Sequence, residues 1–133
     1  MRVVIAGESD VAIAQIRTHR LALDQGFTEV AAAAMATAIS ELARNVLVHA
    51  GSGDLVLAVV REDGRHGIVA VISDEGPGIA DTELALQDGY STTGSLGLGL
   101  PSARRLVDTL QIVTASGAGT TVTVAKWRPR ASE

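Results

Sequence analysis

The fold is decided by a stretch in the first half of the chain, MATAISELARNV at residues 35–46. Apolar side chains recur in this stretch at helical spacing, and they are Met35, Ile39, Leu42 and Val46. The spacing predicts a helix with one apolar stripe that faces a core. Polar side chains gather on the opposite side, and they are Thr37, Glu41, Arg44 and Asn45. We therefore expect a core helix that presents polar groups away from the core.

The residues around this helix predict one more helix and three strands in the first half of the chain. Ser9 or Asp10 can cap the first helix, which ends at the stop signal Gly26. The expected elements are a strand at 2–6, this first helix, the central helix from Thr28 to about Ala50, and an antiparallel hairpin with strands at 55–60 and 68–72, the second ending at Asp74.

The second half begins with a segment dense in Gly, Ser and Thr at residues 75–100, which is long for a loop in so small a domain. One short helical stretch is predicted inside it at about 81–87. Pro101 is expected as the first residue of a third helix that runs to about Leu110, because its fixed φ and missing N–H are tolerated there. A hairpin with strands at 112–115 and 120–126 then closes the fold.

These elements predict an α+β fold in which helices cover one face of a mixed, mainly antiparallel sheet. The 133 residues suit a single domain, 1–133. The formal net charge of -4 and the lack of any basic block argue against nucleic acid as a partner. The sequence has no cysteine, no long uninterrupted apolar segment and no secretion signal, so we expect a soluble cytoplasmic protein with no membrane attachment.

Two glycine-rich clusters could bring backbone N–H groups close to phosphate oxygens. They are Asp74-Glu75-Gly76-Pro77-Gly78-Ile79 and Gly94-Ser95-Leu96-Gly97-Leu98-Gly99-Leu100. The second leads into the expected Pro101 helix, whose N-terminus favours an anion. Neither is a Walker A loop, because the only lysine is Lys126. Taken alone, each cluster is more often a plain surface loop.

Glu41 and Asn45 stand four residues apart on the central helix, so their side chains project from the same face. An Asn oxygen is a hard, neutral ligand for Mg²⁺, and a nearby carboxylate can accept the proton of an attacking hydroxyl. Without other signals, such a pair is more often an ordinary solvated helix face. The spacing indicates a base and a metal ligand only together with the glycine clusters.

Four segments, in order, resemble the N, G1, G2 and terminal boxes of the GHKL ATPase superfamily, whose two-layer α/β sandwich is the Bergerat fold. They are Glu41-Leu42-Ala43-Arg44-Asn45, the two glycine clusters, and Gly117-Ala118-Gly119-Thr120. Within that superfamily nearly the whole chain resembles the switch serine/threonine kinases of bacterial stress signalling. The residues behind this second resemblance are Gly26-Phe27, Asp88-Gly89-Tyr90-Ser91-Thr92, Leu98-Gly99-Leu100-Pro101 and Lys126-Trp127.

The resemblance implies ATP and Mg²⁺ as cofactors and gives each box a role. Asp74 would accept a hydrogen bond from the adenine amino group, Asn45 would hold Mg²⁺, and Glu41 would be the catalytic base. The base pocket would be shaped by Gly76, Gly78, Ile79 and Thr120. A lid over the phosphates would include Gly94, Gly97 and Gly99, with nucleotide contacts from Leu96, Leu98 and Leu100 of the same segment.

Three other polar residues near these boxes have weaker signals. His49 lies near a helix C-terminus, where capping or a surface role is more common than catalysis. Arg104 and Arg105 follow the second glycine cluster by about one helical turn and could reach phosphate, but paired arginines on an exposed helix are usually solvated.

The resemblance implies a kinase that phosphorylates a Ser or Thr of a STAS-domain antagonist in a partner-switching pathway and then activates a PP2C-type phosphatase by binding it. The alternative is an anti-sigma factor or adaptor that binds ATP and sequesters a sigma factor. Pro101 directly after Gly99-Leu100, followed by Arg104-Arg105-Leu106, is more like the switch kinases. A histidine kinase domain is less expected without histidine-bearing dimerisation helices, and a free-standing ATPase stays open because water could replace the hydroxyl at Glu41.

Overall fold

The computed structural model describes residues 1–76, 96–114 and 119–128, and of residues 96–99 the backbone alone. Its elements are β1 (Arg2–Ile5), α1 (Glu8–Asp24), α2 (Glu29–His49), β2 (Gly53–Glu62), β3 (Arg65–Asp74), α3 (Leu96–Leu106), β4 (Thr109–Thr114) and β5 (Thr120–Trp127). This order agrees with the sequence prediction. The short helix expected at about 81–87 lies outside the described residues.

The five strands form one sheet in the order β1-β2-β3-β5-β4, and all four pairings are antiparallel. The predicted mainly antiparallel sheet is therefore confirmed, with antiparallel pairing throughout the described strands. Glu62 pairs with Arg65, so β2 and β3 are joined by the two-residue turn Asp63-Gly64. An Asp-Gly pair is a strong signal for such a hairpin. The central strand β3 pairs with β2 on one side and β5 on the other, which makes its end at Asp74 a fixed point of the sheet.

The core lies between one face of the sheet and the helices. The predicted stripe of α2 is confirmed, since Met35, Ile39, Leu42 and Val46 are at most 4% exposed. Burying each such side chain contributes about 1.5–3 kcal/mol. By length and composition α2 could also cross a membrane, but half of its apolar window is buried inside the fold. We therefore assign α2 as the central core helix, with α1 on one side and α3 on the other.

The start of α1 differs from the prediction that Ser9 or Asp10 caps it. Its N-cap residue is Gly7, which has no side chain to accept a hydrogen bond. Asp10 contributes from inside the first turn, where its Oδ2 accepts from the backbone N–H groups of Ala6 and Gly7 at 2.9 and 3.1 Å. The start of α2 agrees with the prediction, because the Thr28 hydroxyl accepts from the Ala31 N–H at 3.1 Å.

The prediction for the third helix was wrong at both ends. The helix α3 begins at Leu96, so Pro101 is its sixth residue and not its first. Proline in a helix interior leaves the carbonyl of residue i−4, here Gly97, without its usual donor, and the helix tolerates this loss near its start. It ends at Leu106 because the chain turns into β4, and the Asp108 N–H donates to the Ala125 carbonyl at 2.9 Å.

Candidate functional site

Glu41 lies on α2 in a small group of charged side chains that joins the first two helices. Its Oε1 is 3.8 Å from Nη1 of Arg44, and Nε of Arg44 is 4.0 Å from Oε2 of Glu8 on α1. The Glu41 side chain is 33% exposed, against 50% for Arg44 and 73% for Glu8. Ion pairs this open to water are worth about 0–1 kcal/mol. The ion pair with Arg44 can orient the Glu41 carboxylate and still leave its oxygens able to accept a proton or a hydrogen bond.

Asn45 follows Glu41 by one helical turn, and its amide is the clearest unfilled position of the site. The Asn45 Nδ2 atom is buried and has no hydrogen-bond partner in the part of the chain that the structure describes. A buried polar atom left in this way costs about 1–3 kcal/mol. Nitrogen and oxygen of an Asn amide exchange places on rotation of the terminal torsion, so either can occupy this position. The residue therefore fits a ligand that takes an amide oxygen, such as Mg²⁺.

Asp74 ends β3 on the helix side of the sheet, at the far end of α2. A Cβ atom built on Gly53 of β2 would lie 3.4 Å from the Asp74 Cβ and 2.8 Å from Cγ1 of Val46 on α2. Asp74 is therefore close to the last turns of α2. The Asp74 Oδ1 accepts from the Gly76 N–H at 2.9 Å, so the carboxylate also shapes the following turn. A carboxylate oxygen can accept more than one hydrogen bond. Asp74 can therefore hold the turn and still accept a donor from a ligand.

Two glycines allow the backbone around Asp74 to pack closely. A Cβ on Gly76 would come within 2.7 Å of the Ala50 Cβ at the end of α2. Gly119 has φ of +83°, and a Cβ there would overlap the Asp74 carbonyl oxygen and lie 3.1 Å from the Glu75 Cα. Side chains at these positions would push the turn away from α2 and from β5. The fold thus requires glycine where the sequence predicted a pocket.

Thr120 is placed next to Asp74 by the pairing of β3 with β5, in which the two residues are directly opposite each other. Its Oγ1 lies 3.0 Å from Oγ1 of Thr114 on β4, and the Thr114 hydroxyl donates to the Gly119 carbonyl at 3.0 Å. Asp74, Gly76 and Thr120, which come from two distant parts of the sequence, therefore meet at one end of the sheet.

His49 also reaches this end of the sheet, which the sequence did not indicate. Burial lowers the pKa of His49 below its ordinary value, and the Asp74 carboxylate partly offsets this by raising the pKa. The imidazole therefore favours its neutral form beside a carboxylate. The available signal was spacing, because His49 follows Asn45 by four residues and so shares its helix face.

The remaining residues expected in the base pocket and in the lid are only partly described. Gly78, Ile79 and Gly94 lie outside the described residues, while the backbone of Leu96, Gly97, Leu98 and Gly99 forms the start of α3. The side chain of Leu100 packs in the core at 2% exposure. A contact from Leu100 to a ligand would have to come from its backbone.

A cleft of about 270 Å³ opens beside Glu41, between α2 and α3. It is lined by Thr37, Glu41, Ser102, Arg105 and Leu106. A larger depression of about 490 Å³ is lined by Arg2, Asp54 and Ser73, and also by Asp74 and Glu75 where β3 ends. The smaller cleft contains the carboxylate of Glu41, which stands one helical turn from Asn45. Arg105 lines the wall of this cleft next to the carboxylate, and its contact with phosphate stays a prediction.

A metal at this site would need ligands from a bound nucleotide. Among the described residues no group of three or more His, Cys, Asp or Glu side chains could hold a metal ion. Mg²⁺ commonly takes one or two protein ligands and completes its shell with water and phosphate oxygens. One buried Asn amide next to an open cleft agrees with that mode of binding.

Comparison with known proteins agrees with this arrangement. Residues 31–130 match the family model described as Histidine kinase-, DNA gyrase B-, and HSP90-like ATPase. The serine/threonine-protein kinase RsbT of Bacillus subtilis (strain 168) is 39% identical over 123 residues, which is 92% of this chain and 92% of that protein. An anti-sigma F factor of Bacillus licheniformis is 32% identical over 97 residues, covering 68% of this chain and 65% of that protein.

Solved structures show the same fold. The Mycobacterial sensor histidine kinase MprB superposes with a TM-score of 0.60 at 18% identity, over 97% of this chain and 98% of that chain. Identity this low shows likeness of fold alone. The family match spans most of the sequence and includes the helix with Glu41 and Asn45, the end of β3 and the turn before β5. The chain therefore belongs to the histidine kinase-, DNA gyrase B- and HSP90-like ATPase family, the GHKL superfamily, and within it to the RsbT-like serine/threonine-protein kinases.

Proposed function

We propose that this chain is a cytoplasmic Mg·ATP-dependent serine/threonine kinase of a bacterial partner-switching pathway, and that its substrate is a STAS-domain antagonist protein. The proposal is carried by one observation. A buried Asn45 amide with no partner among the described residues stands one helical turn from Glu41, which lines an open cleft. The similarity to RsbT over 92% of the chain supports the same class of reaction.

In this proposal the residues in the second half of α2 and at the end of β3 have separate tasks. Asn45 holds Mg²⁺ and Asp74 accepts a hydrogen bond from the adenine amino group, which would disfavour guanine because its O6 is an acceptor. Bound ATP supplies the phosphoryl group, and bound Mg²⁺ neutralises its charge. Glu41 accepts the proton of the Ser or Thr hydroxyl as that oxygen forms its bond to the γ-phosphorus. The bond from the γ-phosphorus to the bridging oxygen breaks, and ADP leaves.

The partners of this step follow from the resemblance to switch kinases. Phosphorylation of the STAS-domain antagonist would release the kinase, which would then bind and activate a PP2C-type phosphatase. A second candidate is sequestration of a sigma factor, which is favoured by the 32% identity to an anti-sigma F factor. The switch kinase is preferred because the match to RsbT is higher in identity and covers more of both chains.

The test is transfer of labelled phosphate from ATP to purified STAS-domain proteins in the presence of Mg²⁺, followed by mapping of the labelled residue. We expect label on one Ser or Thr of the partner and none on the kinase itself. Parallel binding assays with sigma factors provide the comparison. Absence of label on every STAS protein, together with tight binding of a sigma factor, would contradict the kinase proposal and support the second candidate.

A further inference from the structure

One row of side chains along α2 includes the residues proposed for catalysis and for metal binding. Ala33, Thr37, Glu41, Asn45 and His49 follow each other at four-residue intervals, so they lie along a single ridge of the helix. The half of the row after Glu41 leads to Asp74 and is the proposed nucleotide side. The half before Glu41 is not used by ATP in that proposal.

The half before Glu41 borders an apolar groove between α1 and α2. The groove has a volume of about 320 Å³ and is lined by Gln15, Ile16, His19, Ala33, Ala36 and Thr37. Ile16 is 59% exposed, although it is a large apolar side chain on a helix that already buries its other face in the core. The small side chains of Ala33 and Ala36 on α2 leave space next to the Ile16 side chain. The groove therefore offers an apolar surface that the described fold does not cover.

A pair of polar side chains lies near each end of this groove. Nε2 of His19 lies 2.7 Å from Oε1 of Glu29 where α2 begins. At the other end Arg44 approaches Glu8 and Glu41. A groove with an apolar floor and polar ends fits a short segment of a partner protein. An apolar side chain of that segment would occupy the floor and so fix the position of the segment along the groove.

The groove is continuous with the cleft at Glu41. Thr37 lines both depressions, so a segment lying in the groove would pass directly into the cleft that holds the carboxylate. An acceptor hydroxyl must approach the γ-phosphorus from the side away from ADP. Asn45 and Asp74 lie on one side of Glu41, and this groove lies on the other side, where it leaves room for an acceptor protein to approach the cleft.

We propose that the groove between α1 and α2 is the docking site for the acceptor protein of the kinase reaction, which binds there through an extended segment with an apolar side chain. This inference rests on the proposed kinase function and adds the mode of substrate recognition. From Ala33 to Glu41 is eight residues of helix, or about 12 Å at 1.5 Å per residue. An extended chain covers about 12 Å in three to four residues. The apolar anchor therefore lies three or four residues from the phosphorylated Ser or Thr.

The test compares acceptor kinetics of groove variants with those of a control on the same helix. Ile16→Glu and Ala33→Glu place a charge in the groove at exposed positions, so the fold is expected to persist. The control is Val30→Glu, which is 81% exposed on α2 and does not line the groove. Each protein is assayed for KM and kcat with the STAS-domain protein that the parent phosphorylates, and for Mg·ATP binding by calorimetry.

We expect both groove variants to raise KM for the acceptor about tenfold or more, because burial of an apolar side chain is lost. Their kcat and Mg·ATP affinity should stay within about twofold, and Val30→Glu should match the parent. Substituting the apolar residue three or four positions from the phosphorylated residue of the acceptor should raise KM similarly. Unchanged KM in both groove variants would overturn the docking site and leave the kinase proposal standing. No transfer by the parent despite ATP binding would overturn both.

Discussion

The surroundings of Asp74, at the C-terminal end of α2, and those of Glu41, in the middle of α2, are built in different ways. Around Asp74, the backbone of three elements meets so closely that Gly76 and Gly119 have no room for a side chain. Around Glu41, partly exposed charges face each other at 3.8 to 4.0 Å beside an open cleft. The proposed adenine region is therefore fixed by packing, whereas the proposed transfer region is held by weak, open contacts. Substitutions in the first region should affect folding and binding together, and those in the second should affect transfer alone.

The largest effect is expected at Glu41. Glu41→Gln should lower phosphotransfer about 10²–10⁴-fold, because it removes the general base without changing the shape of the side chain. Mg·ATP binding and the free energy of unfolding should stay close to those of the parent. The matched control is Glu8→Gln, since Glu8 contacts the same Arg44 guanidinium from α1. Equal single-turnover rates for Glu41→Gln and Glu8→Gln would remove Glu41 from the mechanism.

The next effect is expected in the packed region, in the free energy of unfolding. Gly119→Ala combines a left-handed φ, which costs about 1–2 kcal/mol, with a steric overlap, which costs about 1–3 kcal/mol. Gly51→Ala is the matched control, because its φ is +82° but nothing lies within 4 Å of a Cβ there. Urea denaturation should show a loss of about 2–5 kcal/mol for Gly119→Ala and about 1–2 kcal/mol for Gly51→Ala. Equal losses would mean that the close approach to Asp74 is unimportant.

A smaller effect is expected for Asp74→Asn. The amide presents one acceptor where the carboxylate presents two charged oxygens, so a charge-assisted hydrogen bond worth about 1.5–3 kcal/mol is weakened. Calorimetry should show weaker ATP binding by about tenfold or more. Asp54→Asn is the control, because it removes the same charge from a neighbouring strand, where Asp54 pairs with Arg2 at 2.6 Å. Equal affinities in the two variants would contradict an adenine contact at Asp74.

The smallest effect is a pH dependence from His49. The pKa of His49 is lowered in the folded chain, so below pH 6.5 the unfolded chain takes up a proton more readily than the folded one. The free energy of unfolding should therefore fall slightly as the pH decreases from 6.5 through the lowered pKa. His49→Gln should lack this component when both proteins are denatured with urea between pH 5 and 8. Parallel curves for parent and variant would contradict the burial of His49.

The sequence was sufficient where the signal was local. The stripe from Met35 to Val46 repeats with the helical period, and all of its members are buried. The hairpin of β2 and β3 was also predicted, although the strands extend further than expected and leave only Asp63-Gly64 as the turn. Glu41 and Asn45 share a face because of helix geometry alone. These features depend on residues within a few positions of each other, so period and spacing were enough to predict them.

The sequence was insufficient where distant segments compete or meet. Pro101 was expected to start α3, but the preceding residues extend the helix to Leu96 and Leu100 packs in the core. The close approach of Gly119 to Asp74 depends on the pairing of β3 with β5, in which Asp74 is opposite Thr120, 46 positions later in the chain (120 − 74). The nearness of His49 to Asp74 likewise requires the end of α2 to lie over the sheet. Local patterns contain no information about such pairings.

The most direct test of the account is calorimetric titration of Mg·ATP into the parent and into Asn45→Ala. The parent should bind one nucleotide per chain with a measurable heat that depends on Mg²⁺. Asn45→Ala should fold normally and lose most of this affinity, because the buried amide of Asn45 is the proposed ligand of the metal. Absence of any heat with the folded parent, or equal affinity in Asn45→Ala, would contradict the nucleotide site on which the proposed kinase function depends.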